Sequence, residues 1–120
     1  MNSYRTLVAW KCAHEVLLMT FRATDDAYHP RKISIFVQIR RAVTSIEANI
    51  VEGYALNTAP LFRRHLRIAV GSAAEAETLI RAASELGYLA EPVSGAIERL
   101  LSKTIGSIRG LLRSPSVAEK

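Results

Sequence analysis

Five side chains with hydrogen-bonding chemistry, Gln38, Arg41, Ser45, Asn49 and Glu52, recur three or four residues apart in the stretch QIRRAVTSIEANIVEG. On a helix turning about 100° per residue they fall in one stripe. Such a row suits two tasks: a buried hydrogen-bond network that fixes register between helices or subunits, or proton-transfer chemistry. The network is preferred, because a guanidinium stays protonated and makes a poor general base. Removing one partner of a buried ion pair costs roughly 3–5 kcal/mol. Arg41 therefore requires a carboxylate nearby, with Glu77 the first choice and Glu52 or Glu75 the second. Apolar residues flank the stripe on both sides: Ile35, Ile39, Ala42, Ile46 and Ile50 on one, Val37, Thr44, Ala48 and Val51 on the other. An ordinary surface helix has one apolar face, so this pattern predicts a helix covered on two sides.

Other reactive groupings are weaker. Ser45, His65 and Glu52 are the residue types of a catalytic triad, but similar trios occur in almost any domain this size, and no enzymatic activity is expected. His14, His29 and His65 fall on different predicted elements, and Cys12 is the single cysteine. No metal site, cofactor or disulfide framework is therefore expected, and Cys12 reads as a small buried hydrophobe. No glycine-rich phosphate loop is present. Gly71 lies mid-helix and reads as a point of close packing.

The elements that must position these residues are helical. Leu7, Trp10, Ala13 or His14, Leu17 and Phe21 predict a helix over Thr6 to Thr24, broken by Pro30. The second helix is expected from Arg31–Ser34 to Gly53, read as a left-handed cap. A third over Pro60 to Leu86 carries Phe62, Leu66, Ala69, Ala73, Ala76 and Ile80 as its core stripe and ends at Gly87. The fourth starts near Pro92, with Val93, Ile97, Leu100, Thr104, Ile108 and Leu111 in register. Strand-like alternation is absent. Residues 1–113 thus predict one all-α domain, an up-and-down four-helix bundle, followed by a flexible tail over 114–120. The 120 residues, 49% of them hydrophobic, suffice for one core. No apolar run is long enough to span a bilayer, and the start lacks a secretory signal, so a cytoplasmic protein without membrane contact is expected.

Charge supplies the functional hint. Lys and Arg outnumber Asp and Glu by 16 to 11. An up-and-down bundle gathers the starts of helices one and three and the finish of helix four at one end. That end collects Arg5, Arg63, Arg64, Arg67, Arg109 and Arg113, a candidate surface for RNA or DNA phosphates. The competing reading is a solvated face that keeps the protein soluble. Only Tyr4, Tyr54 and Phe62 add aromatic character there, so contact with nucleic acid should be backbone-directed, salt-sensitive and poor at reading sequence.

The blocks WKCAHEVLL, QIRRAVTSIEANIVEGY, FRRHLRIAVGSAAEAETL and LGYL follow one another in a familiar order and spacing. In them, from about Leu7 to Leu112, the chain resembles the bacterial four-helix-bundle family first noted as open reading frames in intervening sequences of large-subunit ribosomal RNA genes. It is more remotely similar to the accessory variability determinant protein of diversity-generating retroelements. The resemblance implies a left-handed bundle that assembles as a homopentamer, in a family most of whose members have no established activity. The retroelement relative binds nucleic acid and a reverse transcriptase. The chain departs from the usual pattern at Glu47, Ala48, Ala90 and Pro92. The expectation is a non-enzymatic oligomeric scaffold whose basic rim binds RNA or DNA non-specifically, with no small-molecule substrate. The alternative is a protein-interaction or structural module with no nucleic-acid role.

Overall fold

The computed structural model describes residues 3–114. Four helices make up the bundle: α1 (Val8–Asp26), α2 (Ile33–Leu56), α3 (Ala59–Glu85) and α4 (Val93–Leu112). Of the tail expected at 114–120, all but Ser114 lies outside the described residues. The helices pack neighbour to neighbour around a square, α1 and α3 each lying against both α2 and α4. The result is a rod of 47 × 22 × 21 Å.

The apolar spacing explains this arrangement. Buried positions step by three and four residues in turn: Phe36, Ile39, Val43, Ile46, Ile50 and Gly53 on α2, and Ile97, Leu101, Thr104 and Ile108 on α4. On α3 the same steps run from Ala59 through Phe62, Leu66, Ala69, Ala73, Ala76 and Ile80 to Ala83. A repeat of 3.5 residues keeps each seam facing its neighbours at a shallow crossing angle. Ile39, Ile46, Ile50, Leu66, Ile80, Ile97, Leu101 and Ile108 are all fully enclosed, each stabilising the fold by about 1.5–3 kcal/mol. Small buried Ala69, Ala73 and Ala76 let α2 and α3 pack most intimately.

Helix ends follow local chemistry, with corrections to the expected boundaries. A short 3-10 turn, Tyr4–Thr6, precedes α1, with the Ser3 hydroxyl accepting from Arg5 N–H. It displaces the start of α1 to Val8. Gly53 does not cap α2. It is buried inside the helix, which continues to Leu56, and Asn57 adopts the left-handed conformation instead (φ 57°), as a short polar side chain can. Thr58 caps α3, with Pro60 in the first turn, where its missing N–H costs nothing. At the other end Gly87 has φ 75°. There Gly87 N–H donates to Ser84 O and Tyr88 N–H to Ala83 O, the two bonds of a Schellman motif. Lys32 Nζ donates to Ala27 O at 3.0 Å and Tyr88 O at 3.2 Å, tying the α1–α2 and α3–α4 loops together. Gly71, expected at a close approach, is exposed and has no atom within 4 Å of where a Cβ would stand. Among the described residues no neighbouring element packs against it.

Candidate nucleic-acid interface and the polar seam

The polar stripe of α2 divides in two. Its later half forms a seam against α3. Ser45 Oγ and Ser72 Oγ share a hydrogen bond of 2.8 Å, and Asn49 Nδ2 donates to Ser45 O at 2.8 Å and to Ser45 Oγ at 3.1 Å. With its amide nitrogen committed, Asn49 presents Oδ1 to His65, 2.9 Å from Nδ1. An amide oxygen only accepts, so Nδ1 is the donor in this contact. Glu52 stands at the margin, 3.8 Å from the same nitrogen. The seam therefore joins Ser45, Asn49 and Glu52 through His65 and Ser72, two α3 residues that spacing along α2 cannot reveal. A triad geometry does not form, because Ser45 bonds to Ser72 and Asn49 rather than to His65.

The earlier half behaves differently. Gln38 and Arg41 are exposed and Glu77 is half-buried. Among the described residues no carboxylate lies within ion-pair distance of Arg41, neither Glu77 nor Glu52 nor Glu75. The expected pairing is corrected on this point: a hydrated guanidinium needs no buried counter-charge. The second flank of α2 is open as well. Val37 is 48% and Ile68 of α3 42% exposed, and a groove of about 330 Å³ runs along Leu17, Thr44, Glu47, Ala48, Val51 and Glu52.

The antiparallel run of the helices brings Arg5, Arg63, Arg64, Arg67, Arg109 and Arg113 to one end of the rod. Arg63 is half-buried and the other five are exposed. Arg63 and Arg67, one turn apart, line a groove of about 450 Å³ with Ala59 and Pro60. Arg63 Nε is buried there without a hydrogen-bond partner. No carboxylate occurs from Ala59 to Ala74 or from Arg99 to Arg113, and among the described residues none of the six arginines forms an ion pair. Towards the other end, by contrast, Arg40 pairs with Asp25 and Arg81 with Glu98.

One cluster escaped the reading of the sequence. The Glu47 carboxylate accepts from Trp10 Nε1 at 2.9 Å and from His14 Nδ1 at 3.0 Å. The Trp10 and His14 rings are stacked, with centroids 5.0 Å apart. The signal was a tryptophan and a histidine four residues apart on α1, but only the α1–α2 register brings Glu47 to them. Among the described residues no group of three or more His, Cys, Asp or Glu gathers to hold a metal ion. Nor is any helix among them long and apolar enough to cross a membrane.

The description "23S rRNA-intervening sequence protein" belongs to a family model that matches residues 5–110. Among solved structures, the chain is similar to a protein of unknown function from the S23 ribosomal protein family of Bacteroides thetaiotaomicron. The TM-score is 0.74 at 20% identity, covering 89% of this chain and 100% of that one. At that identity the likeness carries the fold alone. No curated protein matches the chain.

Proposed function

The chain belongs to the 23S rRNA-intervening sequence protein family, and on that premise we propose that it is an oligomeric, non-enzymatic scaffold whose basic end binds RNA or DNA without sequence preference. The observation that carries this reading is the set of arginines at one end of the rod, Arg5, Arg63, Arg64, Arg67, Arg109 and Arg113, none of which pairs with a carboxylate among the described residues. Phosphate oxygens suit such guanidinium donors. A guanidinium that reads only the backbone fixes position and carries no sequence information.

Assembly follows from the uncovered flank. Val37, Ala48 and Ile68 are exposed in the single chain, and a second copy is the occupant proposed for them. A cyclic oligomer, the pentamer being the form proposed, repeats the basic end around one rim, where the fields of successive copies add. A protein-interaction module with no nucleic-acid role would use the same apolar flank and leave the arginines to solvent. Fluorescence anisotropy of a labelled single strand and a labelled hairpin RNA at about 50 mM salt, where counterion release favours binding most, separates the two. Binding of either supports the nucleic-acid reading, and no binding of both removes it.

A further inference from the structure

Tyr4, Trp10 and His14 form an aromatic ladder that starts in the basic end and runs along α1. Arg5 lies over the Tyr4 ring at 5.8 Å. Tyr4 meets Trp10 edge-on at 5.4 Å, and Trp10 stacks on His14 with 14° between the planes. All three rings are half-buried, and 42% of the His14 side chain is open to solvent. We propose that this ladder is a stacking site for an unpaired nucleobase, so that the strand held by the basic end is single-stranded. The proposal rests on the nucleic-acid reading given above and names the substrate class for it.

Three features argue for a base. First, the rings are held in place before any ligand arrives. Glu47 takes an N–H from Trp10 and another from His14, which lowers the ordering cost of binding. Second, the Glu47 side chain is only 18% exposed and its oxygens are engaged, so little free negative charge faces an approaching phosphate. Third, Nδ1 of His14 is committed to Glu47, which leaves Nε2 as the polar atom available to a base edge. Arg5 beside Tyr4 connects the ladder to the phosphate-binding arginines. Every base has a π-face, so stacking tolerates any sequence. A duplex hides those faces, whereas His, Tyr and Trp are the platforms on which splayed bases rest.

Trp10 is the only tryptophan in the chain, so tryptophan emission reports on this site alone. The test titrates the full chain at about 50 mM salt with an end-labelled single-stranded oligouridylate of about 12 nucleotides and with an RNA duplex of equal length. Label anisotropy and tryptophan emission are followed together. Saturable quenching that tracks anisotropy for the single strand, with no quenching by the duplex, supports the ladder. His14→Ala should then weaken single-strand binding about tenfold and leave duplex binding unchanged, while His14→Phe, which keeps a stacking face but loses the bond to Glu47 and the free Nε2, should weaken it less than His14→Ala. Anisotropy change without quenching overturns the ladder and leaves the basic end standing. No anisotropy change with either ligand removes the nucleic-acid reading itself. Emission that shifts with protein concentration alone shows the ladder covered by a second copy, which also overturns the proposal.

Discussion

A Cβ built on Gly53 would lie 2.7 Å from the Cβ of His65 and 3.1 Å from Cδ1 of Phe62, so the missing side chain is what brings His65 within reach of Asn49. Two effects oppose each other in Gly53→Ala. Helix propensity favours alanine by about 1 kcal/mol, while overpacking a filled seam costs about 1–3 kcal/mol. The nearest atom, the His65 Cβ, is bonded directly to the α3 backbone and cannot swing away, so overpacking wins. Chemical denaturation followed by circular dichroism should show a net loss of up to about 2 kcal/mol. An unchanged or raised midpoint would mean that α3 does not approach so closely.

Thr20 and Thr24 should respond in opposite senses to valine. The Thr20 hydroxyl is fully buried with no hydrogen-bond partner, so Thr20→Val should stabilise the chain by about 1 kcal/mol. The Thr24 hydroxyl donates to Thr20 O at 2.9 Å and accepts from Arg40 Nε at 2.8 Å. Thr24→Val should therefore cost about 1–2 kcal/mol. Thermal unfolding of both variants checks the contrast, and shifts of the same sign would contradict it.

The four helices and their order are legible in the apolar spacing, although on α1 the large residues Leu7, Trp10, Leu17 and Phe21 stay half-buried and the small ones Ala9, Cys12, Ala13 and Val16 take the enclosed positions. Local chemistry is less legible where one residue type serves two purposes. Glycine ends helices and also admits a neighbouring backbone, and only the knowledge that His65 faces Gly53 decides between the two. Stripe periodicity says which residues share a face, but not how far each side chain reaches. Short Ser45 and Asn49 stay enclosed against α3, whereas long Arg41 carries its charge out to water. Glu47 is hidden for a third reason. Its partners lie 33 and 37 residues away on α1, and register between helices is a tertiary property.

Self-association should depend on the uncovered flank. Light scattering at micromolar concentration should give a mass above one subunit. Ile68→Glu, placing a charge on an exposed apolar site, should reduce it to a single subunit with helical content unchanged. A monomeric wild-type chain would remove the ring and the summed field with it.

The most direct test of nucleic-acid binding at the basic end compares the wild-type chain with the triple variant Arg63→Glu, Arg64→Glu, Arg67→Glu on a labelled single strand as salt rises. If Arg5, Arg63, Arg64, Arg67, Arg109 and Arg113 each neutralise one phosphate, the logarithm of the wild-type binding constant should fall against that of salt concentration with a slope of about −4. The triple variant should show no binding at about 50 mM salt while keeping its helical content and subunit number. Equal binding by the two proteins, or wild-type binding indifferent to salt, would contradict it.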